Sequence, residues 1–490
     1  MNMEPLLPFE LRVSDLGSRQ RLRSLHGQLR TAILKGRLCA GAKLPSTRSL
    51  ALALAIGRNT VVSAYDMLIS EGYLRAARGS GTYVATLNPG LAPQRESARH
   101  RLARDLLPRA WRTARPRALD QRRVRFDFRI GIPDLDRFPR SIWCRLLGRS
   151  QRRGARVEDL YAAPAGVERL RFAIARHISN TRAIACGPAD LIVTAGAQHA
   201  FDLIARILVV PGRTVVALED PGYAPLAAVF RAAGAHLVAV PVDEHGMVTK
   251  RVPPGAHVIC VTPSHQFPLG GVLPIDRRLA LLEYARRNGA VIIEDDYDSE
   301  FRFGDRPLDA LQTLDQCESV FYVGSFSKIL SPDLRTGFTI APPWARDPLL
   351  SALQVNVWNC PSVYQQALAD FILEGHLARH LRRVGREYSL RRKLLLDGLR
   401  TELSPWFTPI ESSAGLHIAA RVADGYAPEA LVAKARRCGV AIENVADVAQ
   451  WGSRKRAVRV VLFGYGCISQ QDIAAAIGTL RNGLRQIHGN

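Results

Sequence analysis

The sequence predicts an N-terminal winged helix-turn-helix, which is an α+β fold, followed by a larger α/β domain with a mostly parallel sheet and a small C-terminal α+β lobe. Apolar residues at helical spacing, interrupted by glycines, indicate three short helices and a hairpin before residue 85. From residue 126 onward, short β-branched runs alternate with helical stretches. Strands that are buried on both faces and joined by helices have this pattern, which favours a parallel sheet.

The pattern also divides the chain of 490 residues. We expect a DNA-binding domain over residues 18–85, a basic linker over 86–125 and the α/β domain over 126–490. Within the last of these, the large domain is predicted over about 150–345 and the small lobe over about 346–490.

The N-terminal helices have local start and stop signals. Ser46 precedes an apolar run, and its hydroxyl is a good N-cap for a helix that ends at Gly57. The turn after the third helix leads into a hairpin, which would form the wing. The other predicted elements are a helix at 18–36, a helix from Arg58 to about Glu71, the hairpin tip at 78–81 and the return strand at 82–84.

The α/β domain is predicted from its apolar runs. A long basic helical stretch follows at 376–400, and short strand candidates return in the small lobe. The predicted strands are 191–194, 214–218, 237–240, 257–261, 290–294, 319–323 and 337–341, then 415–420 and 457–463 in the lobe.

Composition limits the class of protein. No apolar run is long enough to span a membrane, and the first twenty residues have no signal-peptide core, so a cytoplasmic protein with no membrane partner is expected. The eight cysteines form no CxxC motif, so no metal site is indicated. The formal net charge of +23 favours nucleic acid or an anionic surface as partner. An Arg-rich genome is the alternative source of that charge, but eleven Arg concentrate in residues 91–125.

The helix-turn-helix pattern identifies candidate DNA contacts. The first residues of the second helix of such a motif reach base edges in the major groove, and the preceding helix and the wing contact the backbone and the minor groove. Solvated surface charges are the alternative for Arg58 and Arg78. The predicted contacts to double-stranded operator DNA are Ser46, Thr47, Arg48, Arg58, Asn59, Thr60, Arg75, Arg78 and Gly79.

A lysine and a carboxylate follow two of the predicted strands. Lys328 lies in a Ser-Phe-Ser-Lys turn after one strand, and Asp295 and Asp296 end the strand before it. Pyridoxal phosphate (PLP) needs a lysine for its Schiff base and a carboxylate that keeps its ring nitrogen protonated. The strand-to-helix turn at 194–198 adds the backbone N–H groups of Gly196, Ala197 and Gln198, which can bind phosphate at a helix N-terminus.

These motifs resemble known families. Residues 44–84 resemble the GntR family of bacterial repressors, and the remainder resembles a fold-type I aminotransferase. The combination resembles the MocR subfamily, which includes regulators that respond to GABA and to pyridoxine. The resemblance extends from about Gln20 to Ile477, and its motifs in the α/β domain are Phe-Arg-Ile-Gly-Ile-Pro-Asp (128–134), Glu-Asp-Pro-Gly-Tyr (219–223), Thr-Pro-Ser-His-Gln-Phe-Pro (262–268) and Glu-Asp-Asp-Tyr-Asp-Ser-Glu-Phe (294–301).

The resemblance implies a role for each residue of the cofactor site. Lys328 would carry the cofactor, and Asp295, rather than Asp296, would pair with its ring nitrogen. Tyr223 would stack on the ring, and Tyr297 would approach the 3-hydroxyl, with a core aromatic as the alternative for Tyr297. The phosphate would be bound by Ser325, Ser327 and Arg335.

Two departures from the aminotransferase pattern concern catalysis more than PLP binding. Phe267 stands where aminotransferases have the Asn that contacts the 3-hydroxyl, so Ser264 or His265 would have to substitute in part. The candidate for the Arg that grips a ligand carboxylate is Arg459, in an uncertain register, and a surface Arg is the alternative.

The sequence therefore predicts a PLP-dependent transcriptional regulator that senses an amine, an amino acid or PLP itself. The resemblance implies a homodimer arranged head to tail. Whether the domain turns over substrate stays open. The alternatives are a working aminotransferase with an accessory DNA-binding domain, and a repressor whose second domain only dimerises around a vestigial cofactor site.

Overall fold

The computed structural model describes residues 7–9, 11, 13, 18–77, 80–86, 111, 124–153, 163–303, 309–449 and 458–485, without the side chains of residues 18 and 19. The chain divides into two compact units, Met1–Ala114 and Arg115–Asn490. Each unit has its own hydrophobic core. No helix in the described ranges is both long and apolar enough to cross a membrane.

The first unit is a winged helix-turn-helix, as predicted. Ser46 caps the second helix by accepting a hydrogen bond from the Ser49 N–H at 3.0 Å, and Gly57 precedes the third helix. The Tyr65 hydroxyl donates to the Pro45 carbonyl at 2.9 Å and so ties the third helix to the start of the second. The elements are α1 (Ser18–Leu34), α2 (Thr47–Ala53), α3 (Arg58–Ser70), β1 (Leu74–Ala77) and β2 (Gly81–Val84), with the two strands antiparallel.

The second unit is built around an eight-stranded sheet. Five of its strands, β6, β5, β8, β9 and β10 in spatial order, run parallel. Strands β7 and β11 run antiparallel to these five, and the edge strand β4 pairs antiparallel with β11, so it runs in the same direction as the five. The mostly parallel sheet is thus confirmed. Its strands are β4 (Leu191–Thr194), β5 (Val215–Asp220), β6 (His236–Asp243), β7 (Gly246–Met247), β8 (Val258–Val261), β9 (Val291–Asp296), β10 (Val320–Ser325) and β11 (Gly337–Ile340).

Helices cover this sheet, since apolar residues on both faces of the strands are buried in two clusters. The helices up to the small lobe are α4 (Arg140–Arg152), α5 (Glu168–Arg182), α6 (Ala197–Leu208), α7 (Ala224–Ala232), α8 (Ile275–Asn288), α9 (Leu311–Leu314), α10 (Pro343–Val357) and α11 (Ser362–Leu373), with 3₁₀ turns at Pro188–Asp190, Thr249–Arg251 and Pro332–Leu334.

The small lobe is α+β, as predicted. Its four-stranded antiparallel sheet has the order β12, β13, β16, β15, and a separate parallel pair joins β3 to β14. Through the pair β3–β14, a strand from near the start of the second unit lies against the small lobe. These elements are β3 (Phe126–Asp127), α12 (His376–Thr401), β12 (Phe407–Pro409), β13 (His417–Val422), α13 (Pro428–Arg437), β14 (Val440–Ala441), β15 (Glu443–Asn444), α14 (Val445–Val448), β16 (Val460–Gly464) and α15 (Gln470–Arg485).

A buried carboxylate joins three helices of the second unit. Asp370 on α11 is 1% exposed and pairs with Arg149 of α4 at 2.7 Å, Arg153 at 3.3 Å and Arg169 of α5 at 2.9 Å. Since the arginines are all partly exposed, their charges stay solvated while the carboxylate is satisfied. This cluster fixes α4 and α5 against α11.

Asp370→Asn should therefore lower the free energy of unfolding of the second unit by about 2 kcal/mol, the usual contribution of hydrogen bonds to a charged group. Urea titrations followed by tryptophan fluorescence would measure the change, because Trp111 is the single tryptophan before residue 115. The control is Glu374→Gln, which removes a 37% exposed partner of Arg149 and should cost less than about 1 kcal/mol. Equal effects of both substitutions would contradict this account of the cluster.

Candidate functional site

A cavity of about 310 Å³ lies in the second unit at the carboxyl ends of the parallel strands. Strands β9 and β10 are adjacent and parallel, with Val323 opposite Asp295, so both strands end at the same edge of the sheet. The turn after β10 therefore brings Lys328 close to the end of β9. The side chains of Asp295 and Lys328 both line the cavity.

A hydrogen bond from the side-chain amine of Lys328 holds this residue at the cavity wall. Its Nζ donates a hydrogen bond to the carbonyl of Gly131 at 2.8 Å. Burial lowers the pKa of Lys328, and the charges of Asp298, Asp295 and Glu443 oppose that shift. A lysine with a lowered pKa has more of its neutral, nucleophilic form at neutral pH. Gly131 has φ +76°, and a Cβ there would lie 2.7 Å from Nζ, so a side chain would displace the amine.

The two neighbouring aspartates have different environments. The carboxylate of Asp296 accepts hydrogen bonds from Tyr322 at 2.5 Å and Ser299 at 2.9 Å and pairs with Arg182 at 2.8 Å. Asp295 lines the cavity and is 6% exposed, and no side-chain partner is observed for its carboxylate among the described residues. Burial raises the pKa of Asp295 to about 8, helped by the nearby carboxylates of Asp296, Glu219 and Asp298.

A second group of lining residues can bind an anion. Helix α6 begins at Ala197 after Gly196, whose φ is +85°, and Ala197 and Gln198 line the cavity. The side chains of Ser325, Ser327 and Arg335 line the same cavity. Arg335 donates to the carbonyl of Ala195 at 2.9 Å, which holds the guanidinium against the α6 turn. A Cβ at Gly196 would lie 3.3 Å from that guanidinium, so the close approach favours glycine.

Aromatic rings form part of the cavity wall. The rings of Tyr223 and Phe267 meet edge to face at 5.7 Å, and so do those of Phe267 and Tyr297. The Tyr297 hydroxyl lies 2.8 Å from Nδ1 of His265, and that nitrogen is 3.1 Å from both oxygens of Asp298. This relay orients Tyr297, whose hydroxyl pKa is raised by burial, so the phenol stays protonated.

These groups together fit PLP. A buried carboxylate without a hydrogen-bond partner among the described side chains suits a protonated ring nitrogen. A helix N-terminus with two hydroxyls and a guanidinium suits a phosphate. Oε1 of Gln198 is buried and has no hydrogen-bond partner among the described residues, so it is available to a bound group. The residues that would hold the cofactor are Lys328, Asp295, Tyr297, Tyr223, Gly196, Ala197, Gln198, Ser325, Ser327 and Arg335.

Two predicted site residues do not reach the cavity. The hydroxyl of Ser264 is bonded to Arg182 at 2.5 Å, so His265 is the residue of that pair that supports Tyr297. Arg459 needs a correction as well. Its guanidinium bonds the carbonyls of Ala423 and Tyr426 and pairs with Asp424 at 3.2 Å. Arg459 precedes β16, and the 423–426 turn supplies the groups that hold its guanidinium outside the cavity.

The structure adds residues to the cavity that the sequence did not indicate. Glu443, His417 and Asp298 line it, together with Ile130 and Gly131. Asp298 belongs to the Glu-Asp-Asp-Tyr-Asp run, which offered a signal for it. Glu443 and His417 stand in the small lobe with no local motif around them, so only the fold brings them to the site.

The candidate DNA-binding residues lie in the first unit. Arg58 and Asn59 are exposed at the N-terminus of α3, and Thr60 follows half-buried. The Nε of Arg58 lies 3.5 Å from Oγ1 of Thr47 at the start of α2, so these two helix starts form one surface with the exposed Arg48.

The wing carries one further described candidate. The guanidinium of Arg75 lies 5.6 Å from the ring centre of Tyr83 on the opposite strand. Arg78 and Gly79 lie outside the described residues, as does most of the basic linker over 86–125.

Models of two known families match the chain, one in each compact unit. The model for bacterial regulatory proteins of the gntR family matches residues 23–84. The model for aminotransferase class I and II matches residues 150–438. The cavity described above lies within the second match, except for Ile130, Gly131, Glu443 and Val448.

Individual proteins are similar over most of the chain. The probable rhizopine catabolism regulatory protein MocR of Rhizobium meliloti is 39% identical over 94% of this chain and 93% of that protein. The HTH-type pyridoxine biosynthesis transcriptional regulator PdxR of Corynebacterium glutamicum is 35% identical over 80% of this chain and 81% of that protein. The structure of LysN, the α-aminoadipate aminotransferase of Thermus thermophilus complexed with N-(5'-phosphopyridoxyl)-L-leucine, has a TM-score of 0.65 at 28% identity, over 74% of this chain and 92% of that chain.

The raised pKa of Asp295 predicts how the cofactor-free protein responds to pH. A carboxyl whose pKa is about 8 when folded and near 4 when unfolded stabilises the fold below about pH 4, and that stability is lost as the pH rises to about 8. Asp295→Asn removes this loss. At pH 8.5 the variant should be more stable than the wild type by at least about 1 kcal/mol, since one pKa unit corresponds to about 1.4 kcal/mol.

Urea unfolding of the cofactor-free proteins at pH 5 and pH 8.5 would measure this difference. Asp296→Asn is the matched control, and it should destabilise the protein at both pH values because Asp296 neutralises the buried Arg182. If Asp295→Asn and the wild type lose the same free energy of unfolding between pH 5 and pH 8.5, ionisation of Asp295 does not destabilise the fold.

Proposed function

This chain belongs to the MocR subfamily of GntR-family transcriptional regulators, and from that premise we propose that it is a PLP-dependent DNA-binding regulator that senses an amino compound or PLP itself. Members of the aminotransferase class I and II family, which the second unit matches, depend on PLP. The single observation that carries the proposal for this chain is that Lys328 lines the same cavity as the buried Asp295, whose carboxylate has no hydrogen-bond partner among the described side chains.

Each part of the cofactor would have its own protein partner. When bound, PLP supplies an aldehyde that condenses with amines and a ring that withdraws electrons from the product. Lys328 supplies the protein's amine, and Asp295 holds the proton on the ring nitrogen. The α6 N-terminus, Ser325, Ser327 and Arg335 would bind the phosphate, and Tyr223 and Tyr297 would fix the ring plane and its hydroxyl.

The regulator would act as a homodimer in the cytoplasm. A groove of about 840 Å³ borders the cofactor cavity and shares Pro332 and Arg335 with it. Its lining includes Leu135 and Tyr364, which are 38% and 47% exposed in the single chain. An apolar surface of this kind suits a second copy of the chain. We propose a head-to-tail arrangement, which membership of the subfamily supports.

Effector binding would change operator affinity through the dimer. An effector shifts a regulator between states only by binding one state more tightly, so ligand affinity and DNA affinity must be linked reciprocally. The two helix starts around Arg58 and Arg48 would read and position the operator.

The competing function is a working aminotransferase with an accessory DNA-binding domain. The similarity to the α-aminoadipate aminotransferase favours it. Two observations weigh against efficient turnover: Phe267 replaces the Asn of aminotransferases, and Arg459 is bonded outside the cavity. Steady release of a keto product from the loaded protein with an amino acid donor would favour the enzyme. A protein that never binds PLP would instead have a vestigial site.

Lys328→Ala should abolish the visible absorption band of bound PLP and the covalent attachment of cofactor after borohydride reduction. The reason is that Lys328 is the lysine at the cavity wall, with Nζ 2.8 Å from the Gly131 carbonyl. Lys393→Ala, an exposed lysine on α12, is the control and should leave both signals unchanged. Covalently bound cofactor in Lys328→Ala would refute the assignment.

Arg58→Ala should reduce the ratio of operator to random-DNA affinity by about 10-fold to 100-fold, because a good base contact discriminates by about 1–3 kcal/mol. Arg48→Ala is the matched control: a lost phosphate contact weakens both affinities equally. Neutralising several linker arginines should flatten the dependence of log affinity on log salt with little change in the ratio. Fluorescence anisotropy over a salt series measures all three. An unchanged ratio in Arg58→Ala would show that α3 does not read bases in this register.

A further inference from the structure

His417 lines the cavity from the small lobe, on β13, and it is not among the residues that would hold PLP. The residue is 4% exposed, and its ring lies beside the rings of His265 and Phe267, at centroid distances of 5.3 and 6.0 Å. A polar side chain buried to this extent needs a hydrogen-bond partner for each of its ring nitrogens, from the protein or from a ligand.

The ring of His417 has a defined donor and a defined acceptor. Its Nε2 lies 2.8 Å from the carbonyl oxygen of Pro268. Because a carbonyl oxygen can only accept, Nε2 carries the hydrogen, and in a neutral ring the other nitrogen, Nδ1, then has a lone pair. No hydrogen bond to this Nδ1 is made by the residues that the structure describes.

The surroundings of His417 keep its ring neutral. Burial lowers the pKa of His417 to about 3, and the charges of His265 and Lys328 act in the same direction, against the bond to the Pro268 carbonyl. Nδ1 is therefore an acceptor at every physiological pH. Since His417 and Lys328 line one cavity of about 310 Å³, a ligand that brings an amine to Lys328 has this acceptor in the same cavity.

We propose that His417 is a binding residue for the effector and that its Nδ1 accepts a hydrogen bond from a donor group of the effector other than the reacting amine. The effector is then an amino compound with a second donor, which is a hydroxyl, an ammonium or an amide N–H. A ligand with an apolar group at this place leaves the buried Nδ1 unsatisfied, so the site discriminates against it. This inference rests on the proposed sensing function and narrows its ligand class.

Pairs of amines that differ in one group test the proposal. Calorimetric titration of the full-length, PLP-loaded protein would compare 2-aminoethanol, 3-aminopropan-1-ol and 4-aminobutan-1-ol, each with the alkylamine in which a methyl group replaces the hydroxyl. At the chain length that fits best, the affinity of the amino alcohol relative to its alkylamine should be about fivefold higher in the wild type than in His417→Phe. One neutral hydrogen bond contributes a factor of this size.

Two further variants separate the ligand contact from a structural role of His417. His417→Gln keeps a donor for the Pro268 carbonyl and an acceptor oxygen for the ligand, so it should recover part of the preference for the amino alcohol. His245→Phe is the matched control, because His245 is 61% exposed and lies outside the cavity, and it should keep the wild-type preference.

A second measurement uses the wild-type protein, so it does not depend on how a variant folds. In PLP-loaded protein labelled with ¹⁵N-histidine, the Nδ1 resonance of His417 should have the chemical shift of an unprotonated ring nitrogen. Saturation with the amino alcohol should move this resonance as a new hydrogen bond does, and saturation with the alkylamine should leave it in place. The resonance is assigned by its absence from His417→Gln or His417→Phe.

The outcomes separate this inference from the proposed function. If the relative affinity is the same in His417→Phe and the wild type at every chain length, or if the Nδ1 resonance does not respond to the amino alcohol, His417 does not bind the effector while amine sensing stands. If His417→Phe binds PLP itself more weakly, as measured by its visible absorption band, the residue serves the cofactor instead. If the PLP-loaded wild type binds none of these amines, amine sensing itself fails.

Discussion

The second unit depends on one unfavourable feature, the burial of the Asp295 carboxylate at the end of β9, where the charge of Lys328 offsets only part of the unfavourable effect. Its neighbours Asp296, Glu219 and Asp298 add negative charge, and together with burial they raise the pKa of Asp295 to about 8. A protein selected only for stability would place an apolar residue there. The arrangement becomes favourable when a cationic group binds in the cavity, and a protonated pyridine nitrogen is such a group.

The fold makes this possible by giving adjacent residues opposite environments. Asp296 is satisfied by Arg182, Tyr322 and Ser299, whereas the preceding residue points its carboxylate into the cavity. Parallel pairing of β9 with β10 then fixes the distance between that carboxylate and the turn that carries Lys328. The strand ends position the groups that would hold the cofactor, and the small lobe supplies Glu443 and His417 to the same cavity.

Much of the fold and of the candidate site could be predicted from the sequence because short local patterns determine it. The cap at Ser46, the strands of the parallel sheet, and the strand-to-turn placement of Lys328 and Asp295 all follow from short patterns. Glu443 could not be found in this way, since its contact with Ile130 joins residues 313 positions apart and no motif surrounds it. Arg459 could not be placed from the sequence, because the carbonyls that bond its guanidinium belong to residues 36 and 33 positions earlier in the chain. Ser264 was misplaced because a buried arginine far along the chain, Arg182, uses its hydroxyl.

The central claim is that Asp295 is kept buried to hold a proton on the ring nitrogen of bound PLP. The most direct measurement is the ¹⁵N chemical shift of the ring nitrogen in the protein loaded with ¹⁵N-labelled PLP, followed from pH 6 to pH 9. The account predicts a shift typical of a protonated ring nitrogen at every pH in the wild type, and one typical of a neutral nitrogen in Asp295→Asn. A neutral ring nitrogen in the wild type at pH 7 would contradict it.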